Sequence, residues 1–123
     1  MDFQDYQIMA GMTAIYLEKF KAAGNEEIPE TVMKYLGLSY CSNGLGEVGE
    51  IQGKVKKILR DQGGVITEEN KKDLAKELGD VLWYVAAMCT ELDISMDDVA
   101  KGNITKLRSR QDRDQLRGSG DDR

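Results

Sequence analysis

The stretch TEENKKDLAKELGDVLWYVAAMCTEL, residues 67–92, decides the fold class. Its apolar residues Leu74, Leu78, Val81, Val85, Met88 and Leu92 recur at alternating steps of four and three. That is the period of an amphipathic helix, not the two-residue period of a strand. Thr67 ahead of the run predicts its N-cap. Upstream, residues 31–61 repeat the pattern with Val48, Ile51, Val55 and Ile58. A kink is expected near Asn43-Gly44, Gln62-Gly63-Gly64 ends the run, and Pro29 suits its start. Residues 2–21 carry Met9, Met12, Tyr16 and Phe20 at helical spacing and break at Ala22-Ala23-Gly24-Asn25. Downstream, Ser95 with Asp98 resembles a capping box and opens a last helix to about residue 110. Residues 111–123 form a polar, glycine-containing tail.

No useful alternating run is present, and one proline in 123 residues leaves long stretches free to be helical. The expectation is an all-α chain: four or five helices with short connections in a helical bundle, residues 1–123 forming one domain.

Composition narrows the chemistry. Hydrophobic residues make up 41% and charged residues 32%, the balance of a soluble globular domain large enough to bury a core. The formal net charge of −5 disfavours a nucleic-acid-binding or anionic-membrane-binding module. No run approaches the roughly 18 apolar residues of a membrane span. Without a signal-peptide pattern, Cys41 and Cys89 read as reduced cytoplasmic thiols, Cys89 on an apolar helix face and buried. There is no histidine, which excludes Ser-His-Asp and Cys-His catalysis and every His-ligated metal. Any metal must then sit on carboxylates, which points to a hard cation, Mg2+ or Mn2+.

Carboxylates are present in a pattern. Glu47-Val48-Gly49-Glu50 and Glu77-Leu78-Gly79-Asp80 are acidic pairs at i, i+3. Residues so spaced lie within about 60° of each other round a helix. The first stripe continues to Lys54 and Lys57, the second to Tyr84. Both run at the rim of an apolar face. If the two helices pack antiparallel, Glu47, Glu50, Glu77 and Asp80 can face one cleft. Clustered carboxylates repel one another and are costly to desolvate, and a divalent cation offsets both. Alone, an acidic i, i+3 pair is usually a solvated helix face, and Glu50–Lys54 or Asp80–Lys76 pairing would explain each. A third stripe, Asn103, Lys106 and Arg110, offers an amide and two cations suited to phosphate oxygens or a sugar; by itself it is equally an exposed polar face. The letters Gly-x-Gly-x-x-Gly at Gly44–Gly49 lack the preceding strand that a dinucleotide fold requires.

Leu45-Gly46-Glu47-Val48-Gly49-Glu50 with Lys54-Val55-Lys56-Lys57, then Glu77-Leu78-Gly79-Asp80-Val81-Leu82-Trp83-Tyr84, resembles the MazG-like all-α nucleoside triphosphate pyrophosphohydrolases. Asn103-Ile104-Thr105-Lys106-Leu107, the tail Gly118-Ser119-Gly120-Asp121-Asp122-Arg123, Tyr6 and Thr13-Ala14-Ile15-Tyr16 share the likeness. The resemblance implies a four-helix core, assembled as a homodimer or homotetramer. It implies hydrolysis of a nucleoside triphosphate to the monophosphate and pyrophosphate, with the deoxy series favoured. Glu47, Glu50, Glu77 and Asp80 would ligate Mg2+. Glu47 or Glu50 would take the proton of the attacking water. Lys54, Lys57, Asn103, Lys106 and Arg110 would contact phosphates or sugar, and Tyr84 the nucleotide. Trp83 has a second reading as dimer packing. Base selection would come from the first helix, the loop at residues 25–28 and aromatic side chains. Relatives often carry Ala at the places of Gly44, Gly46 and Gly53, so a looser second helix is expected here. Two alternatives stay open: a related enzyme acting on phosphoribosyl-ATP, and a non-catalytic helical interaction module.

Overall fold

The computed structural model describes residues 1–25 and 27–123; Glu26 and the side chain of Asn25, within the loop expected to select the base, lie outside the described residues. The architecture is all-α, with no strand among the described residues. The helices are α1 (Phe3–Thr13), α2 (Tyr16–Phe20), α3 (Glu30–Gly44), α4 (Val48–Asp61), α5 (Glu68–Glu91) and α6 (Met96–Asp112). A 3₁₀ turn, Leu45–Glu47, joins α3 to α4, so the six helices group into four units: α1–α2, α3–α4, α5 and α6. No helix among the described residues is long and apolar enough to cross a membrane.

α5 is the axis of the molecule, roughly 36 Å long at the usual rise per residue. It starts where the sequence predicts. The Thr67 hydroxyl accepts the Asn70 N–H at 3.1 Å, and the Asn70 side chain accepts the Thr67 N–H at 3.0 Å. This reciprocal pair satisfies two amides that helix geometry leaves unpaired. α1, α3 and α4 all pack on α5, and α6 returns against α1 and the end of α5. Gln7 ties that corner: its amide donates to Ile94 O at 3.0 Å and accepts from Met96 N at 2.8 Å.

The buried face of α5 follows the expected stripe only in part. Leu74, Val81, Val85 and Met88 are half-buried, but Leu78 is 58% exposed and Leu92 also faces outward. Ala86, Ala87 and Cys89 are buried instead. Small side chains let α1 and α3 approach closely on that side, and Trp83, Val85 and Met88 pack at its edges. Two cores result. Ala10, Ala86, Cys89 and Met96 form one, with Tyr6, Trp83 and Val85 against it. Tyr16, Cys41 and Ala87 form the other, with Phe20 and Trp83 against it. Both cysteines are buried free thiols, as expected for Cys89, and burial pushes both pKa values up.

The first helical run breaks earlier than its pattern predicts. The chain is extended at Ala14, and α2 begins at Tyr16. Side-chain partners on α5 hold this break open. Trp83 Nε1 donates to Thr13 Oγ1 at 2.7 Å, and the Tyr16 hydroxyl donates to the buried carboxylate of Glu91. Gly24, at φ 88°, then takes a left-handed conformation that suits glycine, within the predicted break. The expected kink at Asn43-Gly44 falls at the adjacent 3₁₀ turn.

Candidate active site

A cleft of about 640 Å³ opens between α2, the end of α3, the 3₁₀ turn and the middle of α5. The 3₁₀ turn sends Glu47 into it, and α5 sends Asp80, Trp83 and Tyr84. Their i, i+3 and i, i+4 spacing puts the three α5 residues on one face. Tyr16, Lys19 and Phe20 from α2, Tyr40 from α3, and Thr13 and Ile15 complete the walls.

The walls are largely aromatic. Tyr16 and Tyr40 stack at 4.7 Å, and Trp83 meets Tyr84 edge-on at 5.1 Å. Tyr40 lies 6.1 Å from Tyr84. Such rings present flat apolar faces together with hydroxyl groups. Burial raises the Tyr84 pKa, helped by the neighbouring Tyr40 and then by the charges of Glu47 and Asp80. Tyr84 is therefore a neutral phenol, able to donate a hydrogen bond, beside two carboxylates. Tyr6 is raised likewise, by burial first and then by Asp80.

The other two predicted ligands stand apart from the cleft walls. Lys54 Nζ lies 2.8 Å from Glu77 Oε1. That contact raises the Lys54 pKa, with added attraction from Asp73 and Glu50. Glu50 itself is exposed. Lys57 lies at the far end of α4, near Asp61, in a separate cavity of about 280 Å³. The basic stripe of α6 is held by the chain's own tail. Arg110, 4% exposed, donates to Asp121 O at 2.6 Å and Gly120 O at 3.3 Å. Lys106 pairs with the Asp121 carboxylate at 3.4 Å. Asn103 is exposed, and none of these three lines the cleft.

Among the described residues, no three Asp, Glu, Cys or His side chains converge closely enough to hold an ion as they stand. The donor chemistry nevertheless fits a hard divalent cation. Four carboxylates lie along α4, the 3₁₀ turn and α5, and one of them, Glu77, already holds a cation, the Lys54 ammonium, at 2.8 Å.

The cleft also contains residues that sequence reasoning did not single out. In the sequence Tyr16 and Phe20 belong to a helical face, Tyr16 also to the family likeness, and Lys19 and Tyr40 carry no signal. Their spacing to Glu47 and Asp80 runs across four elements, which periodicity within one helix cannot register.

The family model described as MazG nucleotide pyrophosphohydrolase domain matches residues 37–113. The chain is 52% identical over 119 residues to "Gene 37 protein" of Mycobacterium phage L5, covering 96% of each chain. No solved structure matches significantly.

Proposed function

The chain belongs to the MazG nucleotide pyrophosphohydrolase family, and from that premise we propose that it hydrolyses a nucleoside triphosphate, of the deoxy series, to the nucleoside monophosphate and pyrophosphate in a Mg2+-dependent reaction. One observation carries the reading: two of the four motif carboxylates, Glu47 and Asp80, line a cleft whose other walls are aromatic rings. A nucleotide needs both surfaces. Rings stack on a base, and carboxylates serve the phosphate end through a divalent cation.

Glu47, Glu50, Glu77 and Asp80 would hold Mg2+, with Mn2+ a substitute; when bound, the ion supplies Lewis acidity and offsets phosphate charge. The chain's own groups do the rest. Glu47 or Glu50 accepts the proton of the attacking water. The water oxygen bonds to the α-phosphorus, the bond from that phosphorus to the bridging oxygen breaks, and its electron pair leaves on pyrophosphate. Tyr84 donates to the nucleotide from the cleft wall. Lys54 and Lys57 on α4 meet phosphate oxygens, with Lys54 exchanging Glu77 for substrate. Asn103, Lys106 and Arg110 are further phosphate or sugar contacts, once Asp121 gives up the two cations.

The proposed assembly is a homodimer or a tetramer of dimers. Support comes from apolar side chains left outside on facing helices: Val48, Val55 and Leu59 on α4, Leu78 and Leu82 on α5. Stripes of this kind usually mark an interface. Light scattering coupled to size exclusion measures it, and a monomer at micromolar concentration rejects it.

The decisive assay is a panel of NTPs, dNTPs, base-modified dNTPs and phosphoribosyl-ATP with Mg2+, scored by pyrophosphate release. Turnover of a dNTP is expected. No product from any substrate, with no thermal shift on adding Mg2+, would favour the non-catalytic module. Glu50→Gln is expected to abolish turnover while the protein stays folded by circular dichroism. Retained Mg2+-dependent pyrophosphate release in that variant removes Glu50 from the machinery.

A further inference from the structure

We propose that Lys19 of α2 is a substrate-binding residue, the cation that receives the triphosphate within the cleft. The inference rests on the nucleotide-hydrolase reading of the same cleft and adds a residue that the motif match does not reach.

The charge balance motivates it. A nucleoside triphosphate carries about four negative charges at neutral pH, and one divalent ion offsets half of them. The cleft walls contribute two more negative charges, Glu47 and Asp80. Phosphate sites of this kind therefore depend on Lys or Arg beside the ion. The expected cations are engaged elsewhere. Lys54 lies on Glu77 at 2.8 Å, Lys57 lines a different cavity, and Lys106 and Arg110 are held by Asp121. Lys19 is the one cation among the residues lining the cleft, and among the described residues it has no ion-pair partner.

Its position suits the task. α2 exists as a separate short helix because the chain breaks at Ala14 and is pinned through Thr13 to Trp83 and through Tyr16 to Glu91. The break directs Tyr16, Lys19 and Phe20 to one cleft wall. Lys19 is exposed, so its ammonium is open to an arriving anion. The flexible four-carbon stem and point charge suit phosphate capture better than base recognition.

The test separates phosphate binding from turnover. Inorganic tripolyphosphate with Mg2+ serves as a base-free probe, titrated calorimetrically into wild type, Lys19→Met and Lys19→Arg. Lys19→Met is expected to weaken binding roughly ten- to a hundredfold, as for loss of one charge-assisted contact. Lys19→Arg keeps most of the affinity. The same methionine variant raises KM for the best dNTP while leaving the affinity for the matching uncharged deoxynucleoside unchanged. Equal tripolyphosphate affinity in wild type and Lys19→Met, or no binding to wild type, overturns the proposal. So does a matching loss of nucleoside affinity, which would put Lys19 on the base. If wild type hydrolyses dNTPs and Lys19→Met is indistinguishable from it, this inference fails and the hydrolase reading stands. If tripolyphosphate binding depends on Lys19 but no nucleotide is turned over, the hydrolase reading fails and the phosphate site stands.

Discussion

Gly44 has no side chain at the one place where a methyl group would collide with the cleft wall. A Cβ there would overlap Cε1 and Cδ1 of Tyr84. The ring of Tyr84 thus rests against the α3 backbone, and that seat fixes its position between Tyr40 and Trp83. Gly37 has a similar role one layer deeper, where a Cβ would lie 2.6 Å from the Glu91 carboxylate. Gly46, by contrast, faces open space. Of Gly44, Gly46 and Gly53, Gly44 is therefore the one that shapes the cleft, since the other two meet nothing within 4 Å. Gly44→Ala is expected to push Tyr84 out of its seat, costing about 1–3 kcal/mol of stability as for other overpacked sites. Steady-state kinetics should show a larger fall in kcat/KM for a dNTP than Gly46→Ala produces. Equal effects of the two variants would separate Tyr84 from substrate.

The helices differ in what holds them. α5 is capped at Thr67 and gripped on several sides, so its stability comes from tertiary packing. Among the helices of the described residues α6 packs only on α1 and the end of α5, and it relies more on local terms. Its Ser95 hydroxyl accepts the Asp98 N–H at 3.3 Å, and Lys101 pairs with Asp97. Gly102 sits mid-helix, and a methyl group added there would meet nothing within 4 Å. Replacing it with Ala removes the backbone-entropy cost of glycine without meeting a neighbour. Gly102→Ala is expected to stabilise the protein by about 1 kcal/mol. A thermal melt should rise by a few degrees, and a fall would reveal a contact at that face.

At the scale of the whole chain, the tail folds back on α6 through its arginines. Arg110 and Arg113 donate to carbonyls of residues 120–123, and Arg123 donates back to Gln115 O and Gly120 O. Gly118 and Gly120, at φ 106° and 90°, supply the left-handed turns this path requires. Asp121 is the anionic anchor. Lys106 first, and Arg110 second, hold its carboxyl below the usual aspartate value of 3.8. A depressed carboxyl stabilises the docked tail above pH 3.8 and loses that contribution as pH falls through its lower folded value. Backbone NMR order parameters should therefore be high in the tail at pH 7 and lower in Asp121→Asn. If the substitution leaves them unchanged, the Asp121 carboxylate is not what holds the tail.

The sequence alone determined the helical class, the starts of α5 and α6, and the two acidic pairs, because each is a local pattern read along one helix or its first turn. It also carried the family likeness, since the motifs are contiguous. Tertiary structure decided which side of α5 is buried, since Ala86, Ala87 and Cys89 admit neighbouring backbones more closely than leucines do. It decided the break at Ala14, where Thr13 and Tyr16 find partners on α5, far along the chain. It also separated the cations: Lys19 into the cleft, Lys54 onto Glu77, Lys106 and Arg110 onto Asp121. Charge pairing of this kind is settled by distances between elements, and no spacing within a single helix encodes them.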